Sequence, residues 1–242
     1  MNPIICHTAL EAISLIKSGE TLWTHSMGAT PQLLLDALAQ HALTRSNLTL
    51  LQLHTEHAES LSHPSLKNHL RHRCYFGGAP TRKLLQQGEA DYVPIFLSEV
   101  PKLFRSGEQK IDTAIIQVSP PDKHGICSLG ISVEATLAAC QVADKIIAHI
   151  NPMMPRTHGD GFIHYNNLTA VFEQSKALPQ HVIDSSDKTS QAIGRHVATL
   201  VRDGDCLQMG IGAIPDAVLS CLCGHKNLGV HTELFSDGVL NL

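Results

Sequence analysis

The sequence has few aromatic side chains, little excess charge and no long apolar segment. Aromatic residues make up 4% of its 242 residues, which argues against a surface that stacks nucleic-acid bases. The formal net charge is −4 and no Lys/Arg cluster occurs, so we expect neither nucleic acid nor an anionic membrane surface as a partner. No apolar run reaches the roughly 18 residues that cross a bilayer. The first residues lack a basic region and carry Glu11 early, which is a poor match to a signal peptide.

The numbers of cysteine and histidine residues bear on the redox state of the thiols and on metal binding. The seven cysteines are scattered and odd in number, which is typical of free thiols and favours a reducing, cytoplasmic location. Sixteen histidines include the pairs His54/His57 and His69/His72. Neither pair has an HExxH pattern or a carboxylate in helical register, so solvated loop histidines are the stronger interpretation and no metal is assigned.

Short apolar runs alternate with helical patterns along the chain. The run at 112–119 is continuous and β-rich, as expected for a strand buried on both faces, and the run at 145–150 is similar. Helices are predicted over 132–143, with Ser132 as its cap, and over 185–201. This alternation favours an α/β fold with an open, largely parallel sheet covered by helices.

A proline followed by polar residues near 178–186 marks the best domain boundary. We place an N-terminal α/β domain at 1–184 and the beginning of a second, similar domain at 185–242. The second segment has 58 residues, too few for an ordinary domain. Either it packs onto the first domain, or the chain is an N-terminal piece of something longer.

The stretch at 207–238 is predicted to form a strand, a tight turn, a helix and a second strand. The apolar run at 206–209 is predicted to be a buried strand, and Gly210 and Gly212 form the turn. The second strand is predicted over 228–235.

The helix in this stretch is predicted from Ile214, Val218 and Leu222, which recur every four residues and form an apolar face. Gly224 is expected to end it in a left-handed conformation. Glu233 then stands in the second strand, where a carboxylate costs free energy unless it is exposed or used.

Simpler interpretations exist for these residues. Glu233 alone is more often an ordinary strand-end carboxylate than a catalytic one. Gly210 and Gly212 make a poor dinucleotide fingerprint because Pro215 occupies the third glycine position, and a plain strand–helix turn explains them equally well.

Charged residues that are candidates for a function also occur in two irregular segments outside this stretch. The loop at 122–125 is either a solvated turn or a catalytic loop. Arg156 is either a fork for a carboxylate or phosphate, or one half of a structural ion pair.

Five longer motifs follow one another along the chain. They are GATP at 28–31, IIQVSPPDKHGICSLG at 115–130, NPMMPRTHGDGFIH at 151–164, LQMGIGAIPDAVL at 207–219 and HTELFSDG at 231–238. With these motifs in this order, the chain resembles the acetyl-CoA hydrolase/transferase family, in the branch of class I CoA-transferases that includes 4-hydroxybutyrate and acetate CoA-transferases. The resemblance covers nearly the whole chain, as the N-terminal portion of longer family members.

The resemblance implies a fold and an activity. The fold is a pair of tandem open α/β domains of the CoA-transferase/ribose-5-phosphate-isomerase-like kind. The activity is acyl-CoA:carboxylate CoA transfer through a glutamyl-CoA thioester. Two alternatives stay open: an acyl-CoA hydrolase, and a non-catalytic fragment or CoA-binding subunit.

The resemblance also implies the ligands and partners. The substrates are an acyl-CoA and a small carboxylate, with coenzyme A as a substrate and no permanently bound cofactor. A homodimer is implied, and a separate C-terminal half is an expected partner if the chain is a piece.

The resemblance assigns the site to residues of the last two motifs. Glu233 is the glutamate of HTELFSDG and is the implied nucleophile; a glutamate is ionised at pH 7 and needs no separate base. A carboxylate is a weak nucleophile, so backbone N–H groups in the preceding turn must stabilise the oxyanion. The expected acyl or oxyanion contacts are Gln208, Met209 and Gly210. The expected CoA or substrate contacts are Gly212 and Ala213.

Overall fold

The chain divides into two compact units. A computed structural model describes residues 2–180 and 187–242, and the units are Met1–Gln180 and His181–Leu242. The boundary predicted at 184/185, and the first residues of the helix predicted over 185–201, lie outside the described residues. Within the described part of the chain, no helix is both long and apolar enough to cross a membrane.

An eight-stranded sheet forms the centre of the first unit, and all its neighbouring strands are parallel. Its first strands are β1 (Ile4–Cys6), β2 (Thr21–Thr24), β3 (Leu48–Gln52), β4 (Leu70–Cys74) and β5 (Ala90–Tyr92). An antiparallel pair, β7 (Ile126–Ser128) with β9 (Phe162–His164), stands apart from the sheet. The remaining sheet strands are β6 (Thr113–Val118), β8 (Lys145–Ile150) and β10 (Ala170–Glu173). Their order across the sheet is β1-β10-β8-β6-β2-β3-β4-β5.

Helices form most of the connections between these strands, as is usual for parallel pairing. They are α1 (Ala9–Ile13), α2 (Gln32–Ala42), α3 (Ala79–Gln86), α4 (Val100–Arg105) and α5 (Thr136–Val142). Short 3-10 turns lie at Glu59–Ser62, Pro64–Leu66, Leu97–Glu99 and Tyr165–Asn167.

The core of the first unit consists of two apolar clusters. Trp23 and Ile116 belong to one cluster, and Leu22 and Ile115 to the other. Because successive side chains of a strand point to opposite faces, these clusters lie on the two sides of the sheet. All six residues of β6 are buried, and full burial of each large aliphatic side chain is worth roughly 1.5–3 kcal/mol. The predicted fold class, an open parallel sheet covered by helices, is confirmed.

The start of α5 differs from the prediction. The helix expected over 132–143 begins at Thr136. Glu134 has a φ of 25°, in the left-handed region, so the chain is not yet helical there. The backbone N–H of Thr136 donates to the Glu134 carboxylate at 2.9 Å, and Ser132 does not cap the helix.

The second unit contains two helices and a two-stranded parallel sheet. The helices are α6 (Lys188–Ala198) and α7 (Ala213–Ser220), and the strands are β11 (Cys206–Leu207) and β12 (Gly229–Val230). A 3-10 turn at Asp237–Asn241 follows. Both strands are shorter than predicted over 206–209 and 228–235, because in the part of the chain that the structure describes each has only the other to pair with. The prediction of a buried strand is wrong at Cys206, which is exposed.

The boundaries of α7 also differ from the prediction. The helix ends at Ser220, before Gly224. Of the residues assigned to its apolar face, Ile214 is 45% exposed, whereas Leu222 is buried beyond the end of the helix. Ala217 and Leu219 are buried as well, so the helix itself packs through a face rotated from the predicted one.

All seven cysteines are free thiols, as predicted. Those in the first unit are buried: Cys6, Cys74, Cys127 and Cys140. In the second unit, Cys206 and Cys223 are exposed and Cys221 is half-buried.

Candidate active site

Glu233 lies beyond the last strand rather than within it. β12 ends at Val230, and Glu233 follows in an irregular segment with an exposed side chain. The prediction that Glu233 belongs to a strand is therefore wrong. Its carboxylate makes no hydrogen bond or ion pair with any residue in the described ranges, so both oxygens are open to a ligand.

Thr232 fastens the segment that carries Glu233 to the end of β11. The backbone N–H of Met209 donates to Thr232 Oγ1 at 3.1 Å, and the Thr232 hydroxyl donates to the Met209 carbonyl at 2.8 Å. One residue earlier, the N–H of His231 donates to the carbonyl of Leu207 at 2.9 Å. The nucleophile candidate is thus adjacent in sequence to a residue bound to Met209.

Thr232 was not among the predicted site residues. Its position in the HTELFSDG motif was visible in the sequence, but its bond to Met209 spans 23 residues. Because that bond occupies the N–H of Met209, this group is not free to contact an oxyanion.

The glycine turn after β11 retains free backbone donors. Among the described residues, the N–H groups of Gly210, Gly212 and Ala213 have no acceptor. Gly212 is the N-cap of α7 with a φ of 118°, a conformation that a side chain at this position would strain. Gln208 and Gly210 are exposed and Met209 is half-buried. The turn and the N-terminus of α7 therefore present unsatisfied N–H groups, which suit a developing negative charge.

Arg156 and the loop at 122–125 form a structural contact in the first unit. Arg156 Nη2 lies 2.9 Å from Asp122 Oδ2, and its Nη1 donates to the carbonyl of Ile126 at 2.8 Å. The guanidinium lies over the Phe162 ring, 4.9 Å from its centroid. The backbone N–H of Ile126 lowers the pKa of Asp122 below its usual range, followed by the N–H of His124. The ion-pair interpretation of Arg156 is therefore the one that fits.

The histidine pairs make separate contacts. His54 Nε2 lies 2.9 Å from Glu56 Oε1, whereas His69 Nδ1 lies 2.6 Å from the carbonyl of Arg45. No group of three or more His, Cys, Asp or Glu side chains in residues 2–180 and 187–242 is placed to hold a metal ion.

A second candidate region lies at the carboxyl edge of the large sheet. Strands β3, β4 and β5 lie in succession on one side of β2, whereas β6, β8 and β10 lie on its other side. In open α/β sheets, ligands bind outside the carboxyl ends of the strands at such a reversal. The loop after β2 contains the GATP motif, the motif at 115–130 continues beyond the end of β6, and the motif at 151–164 begins directly after β8. Buried polar side chains gather here: His25, Ser26, Thr30, Gln117, Ser119, His149 and Asn151.

These features define an open α/β protein with a parallel sheet and an accessible glutamate beside a glycine turn. The chain belongs to the acetyl-CoA hydrolase/transferase family, because residues 6–184 match the model of that family's N-terminal domain. The resemblance inferred from the motifs is confirmed.

Curated relatives and solved structures agree with this family. The succinyl-CoA:acetate/propanoyl-CoA:succinate CoA transferase of Fasciola hepatica is 45% identical over 96% of this chain and 49% of its own length. The 4-hydroxybutyrate coenzyme A transferase of Clostridium kluyveri is 39% identical over 97% of this chain and 55% of its own length. The crystal structure of RipA from Yersinia pestis is 31% identical, with a TM-score of 0.92, over 99% of this chain and 58% of that protein. The chain spans about half the length of the curated relatives it matches.

Proposed function

We propose that the chain is the N-terminal portion of an acyl-CoA:carboxylate CoA-transferase that acts through a glutamyl-CoA thioester on Glu233. The observation that carries this proposal is the free carboxylate of Glu233, next to Thr232, which is bound to Met209 at the start of a turn with free N–H groups. The activities for which the two curated relatives are named support an acyl-CoA and a small carboxylate as substrates. Coenzyme A is then a substrate, and no resident cofactor is required.

The first half of the reaction forms an anhydride. A Glu233 oxygen attacks the thioester carbonyl, and the tetrahedral oxyanion accepts hydrogen bonds from the turn, with the N–H of Gly210 as the foremost donor. One such donor is typically worth about 10²–10³ in rate. The C–S bond then breaks, the thiolate of CoA leaves, and an acyl-glutamyl anhydride remains.

The second half transfers CoA to the enzyme and then to the acceptor. The thiolate attacks the glutamyl carbonyl, which releases the acyl group as a carboxylate and leaves the glutamyl-CoA thioester. A second carboxylate reverses these steps and departs as the new acyl-CoA. Gln208, Gly212 and Ala213 are the proposed contacts to the acyl group and to CoA, whose remote binding energy lowers the barrier at the reacting carbonyl.

A C-terminal half is the proposed partner of the second unit. Parallel sheets are ordinarily covered on both faces, yet among the described residues β11 and β12 pair only with each other. Ile193, Val197 and Leu200 of the α6 region are exposed, Leu200 by 77%. Apolar side chains exposed together in this way favour a site of association. A homodimer and a cytoplasmic location, the latter supported by seven free thiols, belong to the same proposal.

Thioester trapping tests the proposed function. The chain is incubated with acetyl-CoA, reduced with borohydride or treated with hydroxylamine, and analysed by peptide mass spectrometry. We expect modification at Glu233, loss of it in Glu233→Ala, and no loss in the control Glu173→Ala, whose side chain is exposed in the first unit. Modification at another carboxylate contradicts the mechanism. An unmodified but folded wild-type chain supports the non-catalytic alternative.

Acyl-CoA hydrolysis is the second candidate function. The exposure of Glu233 favours it, because water reaches the same carbonyl that an acceptor carboxylate would attack. The acetyl-CoA hydrolase of Schizosaccharomyces pombe is 28% identical to this chain. CoA release measured without and with acetate separates the two: a transferase forms a new acyl-CoA from a labelled acceptor, and a hydrolase only releases free CoA.

A further inference from the structure

A network of hydrogen bonds joins the loop after β2 to the segment before α5. Glu134 is at its centre: Ser26 Oγ donates to Glu134 Oε1 at 2.5 Å, and the N–H of Thr136 donates to Oε2 at 2.9 Å. Ser26 and Thr136 are fully buried. The carboxylate thus connects two chain segments 108 residues apart.

The hydroxyl groups of Thr136 and Ser132 and the indole of Trp23 complete the network. The Thr136 hydroxyl accepts from Trp23 Nε1 at 2.9 Å and donates to the Glu134 carboxylate at 3.1 Å. The Ser132 hydroxyl donates to the same carboxylate at 3.2 Å, and the carbonyl of Ser132 lies 2.7 Å from His25 Nε2. A glutamine amide at this position is uncharged and keeps a single acceptor oxygen, so the hydroxyls that donate to the carboxylate lose a charge-assisted hydrogen bond or must turn to accept from the amide.

The backbone on both sides of this network is held in an unfavourable conformation. Met27 has a φ of 53° and Glu134 a φ of 25°. Non-glycine residues in sparsely populated regions are strained and persist only where surrounding contacts fix them. The bond between Ser26 and Glu134 is such a contact for the loop that contains Met27.

The fixed loop carries an unsatisfied backbone donor. The N–H of Met27 donates to the carbonyl of His54 at 2.6 Å, but among the described residues the N–H of Gly28 has no acceptor. Gly28 lies in the loop that follows the carboxyl end of β2, at the reversal of strand order where ligands bind in open α/β sheets.

We propose that Glu134 is a positioning residue, which through Ser26 holds the loop at 26–31 so that the Gly28 N–H binds an oxygen of the substrate's carboxylate. The nature of this ligand rests on the proposed function. The inference that Glu134 holds the loop in place rests only on the hydrogen bonds described above. Glu134 does not itself contact the substrate.

Amide NMR of the isotopically labelled 242-residue chain tests this inference, with acetate and acetyl-CoA as probes. In the wild type, the Gly28 resonance moves saturably on titration with acetate. In Glu134→Gln and Ser26→Ala, the apparent dissociation constant read at Gly28 rises at least tenfold, because the loop no longer holds its conformation. The control Glu173→Gln leaves that constant unchanged. A purely structural role for Glu134 would lower the midpoint of unfolding and leave the dissociation constant unchanged.

The outcomes separate this inference from the proposed function. A wild-type Gly28 resonance that neither probe moves, or equal affinity in wild type and Ser26→Ala, overturns the inference, even if a thioester forms at Glu233. If Glu134→Gln does not fold, Ser26→Ala decides, because it keeps the bonds between Glu134 and Thr136. Binding at Gly28 that depends on Ser26, without any thioester at Glu233, upholds the inference and rejects the proposed function.

Discussion

Buried histidines are the clearest source of pH dependence at the scale of single residues. His72 is buried; its Nδ1 lies 2.7 Å from Gln52 Nε2, and its Nε2 lies 3.0 Å from the carbonyl of Leu61. Since the amide nitrogen of Gln52 donates, the ring is neutral with its hydrogen on Nε2. Burial lowers the pKa of His72, and it also lowers the pKa of His25 and His149.

These shifts predict that acidification destabilises the fold. The folded-state pKa lies below the unfolded value of about 6.5, so the unfolded chain takes up the proton first as the pH falls. Stability is fully present above about pH 6.5 and is lost below it, by at most about 1.4 kcal/mol per pH unit for each histidine.

Urea unfolding at several pH values between about 7.5 and 5.5 measures this effect. We expect His72→Gln to have a smaller decline of stability with falling pH than the wild type. The exposed His7, changed to glutamine, is the matched control and should keep the full decline. An identical decline in His72→Gln and the wild type would show that His72 does not contribute.

The sequence identified candidate residues only where a motif marked them. Glu233 came from the HTELFSDG motif, and the turn residues came from the glycine pattern before it. Glu134 and Ser26 gave no signal, because their bond joins segments 108 residues apart. Residue types and local spacing carry no information about such long-range partners.

Close packing of α6 on α7 is the main feature of the second unit at the scale of elements. A Cβ placed on Gly194 would lie 2.7 Å from both the carbonyl carbon and oxygen of Ala217. Because the obstacle is backbone rather than a flexible side chain, the two helices would have to separate.

This packing predicts whether a substitution at Gly194 stabilises or destabilises the second unit. Gly→Ala in a helix ordinarily stabilises by about 1 kcal/mol, but overpacking costs about 1–3 kcal/mol. We therefore expect Gly194→Ala to destabilise the second unit, by a net value of up to about 2 kcal/mol, measured by urea unfolding and by protease cleavage in 187–242. Gly224→Ala, which meets no atom within 4 Å, is the near-neutral control. A stabilised Gly194→Ala would refute the packing argument.

The sequence predicts strands whose two faces are apolar. It does not predict a strand whose polar side chains pair with neighbouring segments. The predicted strands at 112–119 and 145–150 match β6 and β8 closely. β4, with the sequence LRHRC, was missed inside a polar stretch. Its Arg71 pairs with Asp91 of the neighbouring β5, and Arg73 donates to Gln109. These partners become visible only when the strands are assembled.

The two units differ in how fully their strands are supported, which is a property of the whole molecule. β6 lies between β2 and β8 with all its residues buried. β11 and β12 form a parallel ladder of two residue pairs with exposed ends. Local opening is cheap where few buried contacts must break.

Hydrogen exchange should therefore separate the units. We expect amides of β6 and β8 to exchange at least about a hundredfold more slowly than those of β11 and β12. The exposed loop at 158–160 serves as the fast-exchanging reference within the first unit. Mass spectrometry of peptides after exchange measures the contrast, and equal protection of β6 and β11 would contradict it.

The exposed cysteine thiols of the second unit are natural attachment points for a label. Burial raises the pKa of every thiol in the first unit, that of Cys127 to about 11 and that of Cys140 to about 12. At neutral pH those groups are protonated and shielded, so a maleimide dye reacts with the thiols of the second unit, where Cys206 is exposed one residue before Leu207. Fluorescence introduced there, without any engineered handle, reports from the same unit as Glu233.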